Sequence, residues 1–534
     1  MASLIWKWKR VSLRLLSGLR PRWTWRWRWR WLLCWTIGVY LVSCLLLASR
    51  PLFSSTLPPY TGPYSVGAID VEIPTEPRTI HPARFKDSGQ AAFQLETVLF
   101  TLYYPSTRGM VSLSPHPHHL WMPRPLAITG AGYARFAHFS NLFSNAVLTF
   151  SLWFLVGNTK IPAQVDVPLH DDSVVLQSPD PLNDPVLFDD GFPVLVFSHG
   201  MASSRTQYTQ YCGELASRGL VVAAIEHRDG SGPATVIMSP DPDTHNKNKT
   251  KDRILLHFSH GDLSHDADLD AETFKQAQLD FRQAEVEETV RVLRHINEGA
   301  GHTIFSTNLR REGQHLPKWK GRLGLNNATI GGHSFGATLA LQTLKNGPSA
   351  FLPFKSAVVL DPGKSSGPLN HDVQVSTLVI HSNSWSRRHS IFFGRPHFDV
   401  VKDVVQGILD RGKDAWFLTS WTSHPSVTDA PLIEPWLLRW TTGSTIDAHE
   451  GVRQYVHMSE KFLRYQTTGH KTGLLSQCVT HPEYNVVDAN NTHVDDPAWK
   501  RTFSKYWQIH VAPCTSSPLR VDMDLDMVTQ GGPP

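Results

Sequence analysis

The amino-acid sequence predicts an α/β fold, in which helices flank a mostly parallel sheet, preceded by a membrane-spanning segment. Short apolar runs bounded by polar turns are typical of strands that are buried on both faces. Six such runs occur: Val194–Phe197, Leu220–Ile225, Ala328–Gly331, Ala357–Leu360, Thr377–Ile380 and Ala415–Leu418. Helical patterns separate several of them, and strands that alternate with helices indicate a parallel sheet. We expect one catalytic domain at 67–511, with long insertions, rather than two domains.

Hydrophobic periodicity predicts the helices. In Glu272–Glu298, apolar residues recur at spacings of three, four and seven, and Gly299 supplies a stop signal. Phe335–Leu344 is rich in Ala and Leu, and Ala448–Leu463 is a late helix. Phe136–Thr159 has 24 residues without Lys, Arg, Asp or Glu. It fits a helix that faces the core, a helix that lies in a lipid interface or, since polar residues occupy one side, less well a second membrane span.

The N-terminus is predicted to be a membrane anchor. Residues 1–30 alternate Arg or Lys with Trp, and Trp31–Ala48 contains no charged residue. At about 1.5 Å per residue this apolar segment spans roughly 27 Å, close to the thickness of the hydrocarbon core of a bilayer. Its basic flank predicts a single-pass protein with a cytosolic N-terminus and a lumenal or extracellular body. A cleaved signal peptide and an organelle transit segment are the alternatives.

Composition excludes several classes of protein. Ten of the 51 Lys and Arg residues lie in residues 1–50, which contain no acidic residue. The rest of the chain therefore has 41 basic and 47 acidic residues. The body is therefore acidic overall and is not expected to bind nucleic acid. Five cysteines exclude a disulfide-dense scaffold, although Cys478 could pair with Cys514. No zinc-binding spacing is present, and we expect no metal and no cofactor.

Segments outside the predicted core are interpreted from their composition. Residues 49–66 are rich in Pro, Ser and Gly and predict a linker. Residues 157–192 and 229–266 are polar or rich in proline and are predicted to be surface insertions. The tail, 512–534, is predicted to be disordered.

The pentapeptide Gly332-His333-Ser334-Phe335-Gly336 is a G-x-S-x-G motif between a predicted strand and a predicted helix. This context favours a nucleophile elbow, a sharp turn that lifts the Ser334 hydroxyl clear of the sheet, while Gly332 and Gly336 let the chain bend. The following helix would direct free N–H groups at an oxyanion. A glycine-rich turn around a buried serine is the alternative.

A serine nucleophile needs a base and an orienting acid, which follow it in the order Ser, Asp, His. Asp361 ends a predicted strand and is the predicted acid. His424 lies in a polar loop after a late predicted strand and is the predicted base. Rivals that fit less well are Asp372, Asp403, His381, His389 and His397.

An early loop is expected to supply a second oxyanion donor. Ser198-His199-Gly200-Met201 ends the first predicted strand of the core. A glycine there lets a backbone N–H approach the reacting carbonyl, so the N–H groups of Met201 and Phe335 are the predicted donors. A glycine that serves only the turn is the alternative.

These segments resemble the platelet-activating-factor acetylhydrolases of the plasma, lipoprotein-associated phospholipase type. The resemblance is carried by VLVFSHGMASSRTQYTQYCGELASRGLVVAAIEHRDGSG, by the helix QLDFRQAEVEETVRVLRHI, by IGGHSFGATLALQTL continuing to AVVLDP and, more weakly, by GPYSVGAIDVEIP with FTLYYPS. It covers about residues 60–465 and omits the anchor and the tail. Ala337 stands where the family usually has a second glycine.

The resemblance implies an α/β-hydrolase fold and calcium-independent hydrolysis of the sn-2 acetyl or short acyl ester of phospholipids. It implies that Ser334 is the nucleophile, Asp361 the acid and His424 the base. It also favours membrane contact through Phe139–Val156, in addition to the anchor Trp31–Ala48. The alternatives are a carboxylesterase or lipase that acts on other esters and a catalytically inactive scaffold that binds lipid.

Overall fold

The computed structural model describes residues 29–39, 56–171, 191–239, 252–264, 269–387, 391–392, 394–435, 442, 446–484 and 506–514. The strands are β1 (Ser65–Phe85), β2 (Ala91–Ser106), β3 (Gln164–Val165), β4 (Phe192–Ser198), β5 (Val221–Ile225), β6 (Ala234–Ile237), β7 (Arg253–Leu256), β8 (Leu263–Ser264), β9 (Leu323–His333), β10 (Ser356–Leu360), β11 (Ser376–Ser382), β12 (Ile391–Phe392), β13 (Arg395–Pro396), β14 (Ala415–Ser420) and β15 (Trp507–Val511). The α-helices are α1 (Leu126–Phe136), α2 (Leu142–Val156), α3 (Thr209–Ala216), α4 (Ala271–His295), α5 (Gly301–Thr307), α6 (Phe335–Thr343), α7 (Asn383–Arg387), α8 (His397–Asp410), α9 (Ala430–Ile433) and α10 (Ala448–Thr468).

A mixed sheet of eleven strands forms the centre of the described chain. Its order is β15-β14-β11-β10-β9-β4-β5-β2-β1-β3, and β8 pairs with β1. The six strands from β14 to β5 in this order run parallel to one another. Strands β15 and β2 are antiparallel to the neighbours that they meet at the two ends of this parallel block. The predicted mostly parallel sheet with flanking helices is therefore confirmed.

Burial on both faces explains the continuous apolar runs. Along β4, Val194 and Val196 pack into one core, whereas Leu195 and Phe197 pack into the other. Each of these four side chains is at most 1% exposed. Residues of α4, α6 and α8 contribute to the first core, and residues of α3 and α10 contribute to the second. Because both faces are covered, a strand here has no polar face, as the sequence pattern indicates.

Helix α4 begins and ends close to its predicted bounds. The Asp270 carboxylate accepts a hydrogen bond of 2.7 Å from Thr273 N–H and so caps the first turn. After His295 the chain continues into a π-turn, in which Gly299 has φ 105°. Side chains rarely tolerate that conformation, so the glycine ends the regular helix.

The first two strands are a long antiparallel pair that the sequence analysis does not predict. Residues Ser65 to Arg84 of β1 pair with residues Ser106 to Ala91 of β2. The pair begins inside the predicted linker, which is therefore too long at its C-terminal end. Leu57 and Tyr64 are buried, and Thr61 N–H donates to the Glu214 carboxylate. A proline-rich segment without regular structure can thus still pack against the domain.

Parts of the predicted insertions and tail also belong to the interior, contrary to expectation. Ile161 is fully buried, as are Asp229 and Ser231. Polar residues can occupy such positions because hydrogen bonds and ion pairs offset their loss of water. At the other end, Ala512 is buried, and the exposed Cys514 forms a disulfide with Cys478. The ranges 172–190, 240–251, 265–268 and 515–534 lie outside the described residues.

The predicted anchor is described only in part. Residues 29–39 are helical, whereas residues 1–28 and 40–48 lie outside the described residues. Over the part of the chain that the structure describes, no helix has the length and apolar character needed to cross a bilayer. The single-pass anchor accordingly stays a prediction.

Candidate active site

Loops at the carboxyl edge of the parallel strands form the candidate active site. Ser334 directly follows β9, and Asp361 directly follows β10. Leu360 pairs with His333, so Ser334 and Asp361 leave neighbouring strands at the same level. His424 follows β14, which is separated from β10 by β11 alone. The parallel register therefore brings three residues that are distant in sequence to one edge of the sheet.

Ser334 occupies a sharp turn between β9 and α6. Its backbone has φ 56° and ψ −115°, and its N–H donates to the Leu360 carbonyl at 2.9 Å. A Cβ added to Gly332 would lie 2.2 Å from the Gly336 carbonyl oxygen, and one added to Gly336 would lie 2.1 Å from the Ser198 carbonyl oxygen. Neither position has room for a side chain, which is the physical reason for the G-x-S-x-G spacing.

Asp361 and His424 form a hydrogen-bonded pair. The Nδ1 atom of His424 lies 2.8 Å from Oδ2 of Asp361, and the exposed fractions of their side chains are 29% and 1%. Ser382 donates its N–H to Oδ1 at 2.6 Å and its hydroxyl to Oδ2 at 2.7 Å. Burial alone would raise the pKa of Asp361, but the hydrogen bonds and charge around it, first those of His424, bring the pKa below its usual value. The carboxylate can therefore orient the imidazole and stabilise its protonated form.

The nucleophile and the base are neighbours that make no direct hydrogen bond. The rings of His333 and His424 are 4.4 Å apart between centroids, so the residue beside Ser334 contacts the predicted base. Among the described residues the Ser334 hydroxyl has no hydrogen-bond partner. Catalytic hydrogen bonds of this kind are often long without substrate and shorten when it binds.

Trp385 fixes the plane of the imidazole. Its ring stacks on His424 with centroids 3.9 Å apart and planes 7° apart. The indole N–H donates to the Pro362 carbonyl at 3.1 Å, and the Lys364 ammonium lies 4.0 Å from the ring centroid. The hydroxyl of Ser384 accepts the backbone N–H of His424 at 2.8 Å. The sequence carries no motif for Trp385, so the sequence analysis does not find it.

The two predicted oxyanion donors are backbone N–H groups that have no hydrogen-bond partner among the described residues. Phe335 begins α6, and its N–H has no partner within that helix. In the described part of the chain, the Met201 N–H also lacks a hydrogen-bond partner. A Cβ added to Gly200 would lie 3.1 Å from Cβ of Ser334, so the missing side chain lets this loop approach the nucleophile. The arrangement can offer two backbone donors to one oxyanion.

A chain of hydrogen bonds holds the oxyanion loop against the elbow. The Gly200 N–H donates to the Tyr208 hydroxyl at 3.1 Å, and that hydroxyl lies 2.8 Å from Nδ1 of His333. Burial, and then the neighbouring His424, lower the pKa of His333 to about 3. The ring is neutral at physiological pH, so its Nδ1 can accept a hydrogen bond from the Tyr208 hydroxyl.

Arg282 supports both sides of the oxyanion site from α4. Its guanidinium donates to the His199 carbonyl at 2.8 Å and lies 4.3 Å from the centroid of the Phe335 ring. It also pairs with the Asp229 carboxylate at 2.7 Å and donates to the Ser231 hydroxyl at 2.5 Å. The side chains of Arg282 and Asp229 are fully buried. A lone arginine in a helical pattern gives no such signal in the sequence.

The rival residues occupy other environments. His381 is fully buried in β11, where burial lowers its pKa far below the usual value, and its ring stacks on that of His397 at 5.4 Å. Asp403 pairs with Arg395 at the surface. Asp372 is exposed, and His389 lies outside the described residues. Of the rivals that the structure describes, none is hydrogen-bonded to His424 or Asp361.

One group of side chains in the described residues has the spacing of a metal site. Donor atoms of His333, Asp361 and His424 lie within 4.8 Å of one another. The ligand atoms of Asp361 and His424 are hydrogen-bonded to each other, so a metal ion between them would separate the acid from the base. This pairing suits proton transfer better than metal binding.

Comparison with known proteins points to one family. The profile described as platelet-activating factor acetylhydrolase, isoform II, matches residues 52–473. The platelet-activating factor acetylhydrolase of Cavia porcellus is 26% identical over 309 residues, which cover 58% of this chain and 56% of that protein. A putative phospholipase A2 of Schizosaccharomyces pombe is 24% identical over 439 residues, or 76% of this chain and 91% of that protein. The chain thus spans little more than half the length of the Cavia porcellus protein.

A solved structure gives a weaker likeness. The ferulic acid esterase from Streptomyces cinnamoneus superimposes with a TM-score of 0.45 at 17% sequence identity, over 79% of this chain and 95% of that one. A TM-score this low adds no support to an assignment of the fold, which rests on the strand order and the sequence matches.

Proposed function

The chain belongs to the family of platelet-activating factor acetylhydrolases, isoform II, and on this premise we propose that it hydrolyses the sn-2 acetyl or short acyl ester of a phospholipid. It is a serine ester hydrolase, and we infer that its mixed sheet is that of an α/β-hydrolase. The observation that carries the proposal is the meeting of the Ser334 elbow with the Asp361–His424 pair at one edge of the sheet. No step requires calcium.

In the proposed mechanism, His424 removes the proton of Ser334 while the serine oxygen attacks the sn-2 carbonyl carbon. The N–H groups of Met201 and Phe335 hold the oxyanion of the tetrahedral intermediate. His424 then protonates the departing lysophospholipid oxygen. A water molecule, deprotonated by His424, then attacks the acyl carbon, and His424 returns that proton to the Ser334 oxygen as the ester bond breaks and the short acid leaves.

Helix α2 supports a lipid substrate over a soluble one. Its apolar residues Leu142, Phe143 and Phe150 are 89%, 78% and 62% exposed. An exposed apolar face without charged residues is typical of a surface that contacts lipid. The helix has 15 residues, too few to cross a bilayer. We propose that it lies in the lipid interface, and that the segment Trp31–Ala48 anchors the chain with its catalytic domain on the lumenal or extracellular side.

The test combines a Ser334→Ala variant with phospholipids that differ only in the sn-2 chain. We expect hydrolysis of the acetyl and short acyl lipids by the unaltered chain, and its loss in Ser334→Ala with unchanged thermal unfolding. Ser306→Ala, an exposed serine on α5, is the matched control and should retain full activity. Hydrolysis of simple esters but not of phospholipids would favour a carboxylesterase, and failure to react with a fluorophosphonate probe would favour an inactive scaffold.

A further inference from the structure

A cavity of about 950 Å³, lined in part by Arg205 and Thr206 shortly after the oxyanion loop, has no part in the proposed mechanism. Its walls come from the loop before α1, from the start of α1, from β6 and from residues 310–312, and its floor includes Arg205 and Glu226. Glu226 directly follows β5, so the cavity opens at the same edge of the sheet as the candidate active site. Its volume is that of a site for a small molecule.

The cavity is close enough to Ser334 for one lipid molecule to reach both. Arg205 comes four positions after Met201, the predicted oxyanion donor, and a chain of that length spans at most about 14 Å. In the sheet, β5 is two strands from β9, which corresponds to roughly 10 Å. Arg205, at the wall of the cavity, therefore lies within about 14 Å of the oxyanion loop.

Every acidic side chain that lines the cavity is already paired. Arg205 lies 2.6 Å from the Asp70 carboxylate and 3.3 Å from that of Glu226. His119 lies 2.9 Å from the Glu312 carboxylate. Arg205, Asp70 and Glu226 are buried. Because the two carboxylates share one guanidinium, this fixed floor retains about one negative charge.

Three basic side chains at the mouth have no acidic partner among the described residues. Arg124, Lys160 and Arg311 are exposed and line the cavity. Arg124 donates to the Gly157 carbonyl at 2.6 Å, which leaves its charge uncompensated. These three positive charges exceed the one negative charge that the floor retains, so the mouth favours an anion.

We propose that this cavity binds the phosphodiester of a glycerophospholipid head group. A guanidinium offers paired donors to phosphate oxygens and an ammonium adds a point charge, so the mouth carries the donor types that phosphates bind. Helix α1, which lines the cavity, packs against α2. If α2 lies in a lipid interface, the head groups of that lipid would therefore be next to the opening of the cavity. The inference deepens the proposed function and rests on it.

Binding is measured without catalysis, by calorimetric titration of glycerophosphocholine into the Ser334→Ala protein. We expect saturable binding that weakens about tenfold when Lys160→Gln and Arg311→Gln are added. The control pair, Lys345→Gln with Lys413→Gln, removes the same charge at the opposite edge of the sheet and should leave the affinity unchanged. Inorganic phosphate is titrated in parallel, and it should bind more weakly because it fills little of the cavity.

Kinetic measurements then show whether the cavity binds the head group of the substrate itself or that of a second lipid molecule. Dibutanoyl phosphatidylcholine and tributyrin present butanoyl esters of glycerol with and without a phosphodiester. If the substrate's own head group enters the cavity, the ratio of kcat/KM for the phospholipid to that for tributyrin falls about tenfold in the Lys160→Gln, Arg311→Gln protein. An unchanged ratio, with binding of glycerophosphocholine weakened, assigns the site to a second lipid molecule.

The binding result decides the inference independently of the proposed function. Absence of saturable glycerophosphocholine binding, or equal weakening by both pairs of substitutions, would overturn it. If the unaltered chain hydrolyses neither ester, the proposed function fails, while the titration still shows whether the cavity binds a phosphodiester. Thermal unfolding of each variant establishes that it is folded.

Discussion

Replacing Gly336 by Ala tests whether close backbone contact sets the geometry of the nucleophile. The added Cβ would lie 2.1 Å from the Ser198 carbonyl oxygen and 2.5 Å from its carbonyl carbon. To reach even a tight contact of about 3 Å, the start of α6 must move by roughly 1 Å from the end of β4. Displacements of that size in an active site cost on the order of 100-fold in rate.

The contact cannot relax by moving the strand. Ser198 pairs with Ile225 on one side and with Gly332 on the other, so β4 is held in register by both neighbours. The shift must instead fall on Ser334 and Phe335, the nucleophile and an oxyanion donor. We therefore expect kcat/KM for a short sn-2 ester to fall about 100-fold.

Initial rates with a soluble short-chain phospholipid measure the loss, and the rate of fluorophosphonate labelling follows the nucleophile alone. Gly407→Ala in α8 is the matched control, because its added Cβ meets only the flexible Arg411 side chain, at 3.3 Å. That variant should keep its activity and gain about 0.5–1 kcal/mol of stability from helix propensity. Wild-type kcat/KM in a folded Gly336→Ala protein would refute the argument.

Three further predictions follow from the same contacts. Asp361→Asn leaves the imidazole without a carboxylate, so kcat should fall on the order of 10³–10⁴-fold in steady-state assays with little change in urea unfolding; a loss below tenfold contradicts the assignment. Cys514→Ser removes the disulfide to Cys478, which closes a loop with a sequence separation of 36 residues. The entropy of the unfolded chain predicts a loss of about 3–4 kcal/mol in the free energy of unfolding, measured without reductant. An unchanged free energy of unfolding contradicts this prediction. Burial lowers the pKa of His333 to about 3, whereas an unfolded chain has about 6.5, so below pH 6.5 the unfolded state binds a proton that the folded state excludes and stability falls as the pH falls towards 3. Relative to His333→Asn, which keeps an acceptor for Tyr208, the wild type should lose about 2 kcal/mol between pH 7 and pH 5 in urea unfolding; a constant difference contradicts it.

Local pattern suffices for the parallel strands and the main helices because each feature is encoded within a few residues. Continuous apolar runs imply burial on both faces, and the run Ala357–Leu360 lies wholly within β10. The spacing of the glycines around Ser334 is a steric requirement, so the pentapeptide alone indicates the turn. The strand-end position of Asp361 likewise follows from the sequence, since parallel strands place their carboxyl ends at one edge.

Contacts between distant segments leave no such pattern. The β1–β2 pair joins segments whose polar and apolar residues do not alternate cleanly, because one end packs on α4. Arg282 acts on the site through a hydrogen bond to the His199 carbonyl, and Trp385 acts through a ring stack on His424. Neither contact requires neighbours of any particular type in sequence. Polar residues such as Asp229 look like surface residues until their buried partners are known.

Backbone strain shows how the sheet builds this site. Ser334, Asp361 and Ala202, which lie in the nucleophile turn, the acid turn and the oxyanion loop, all have positive φ, between 51° and 57°. Such conformations cost non-glycine residues on the order of 1–3 kcal/mol each and persist only where the surroundings impose them. Each of the three N–H groups donates to a carbonyl of an adjacent segment at 2.8 or 2.9 Å, those of Leu360, Ile380 and Ser231 respectively. The register of the strands and the buried Ser231 loop thus impose the conformations that aim the catalytic groups, which is why substitutions in these supports should reduce kcat before they unfold the chain.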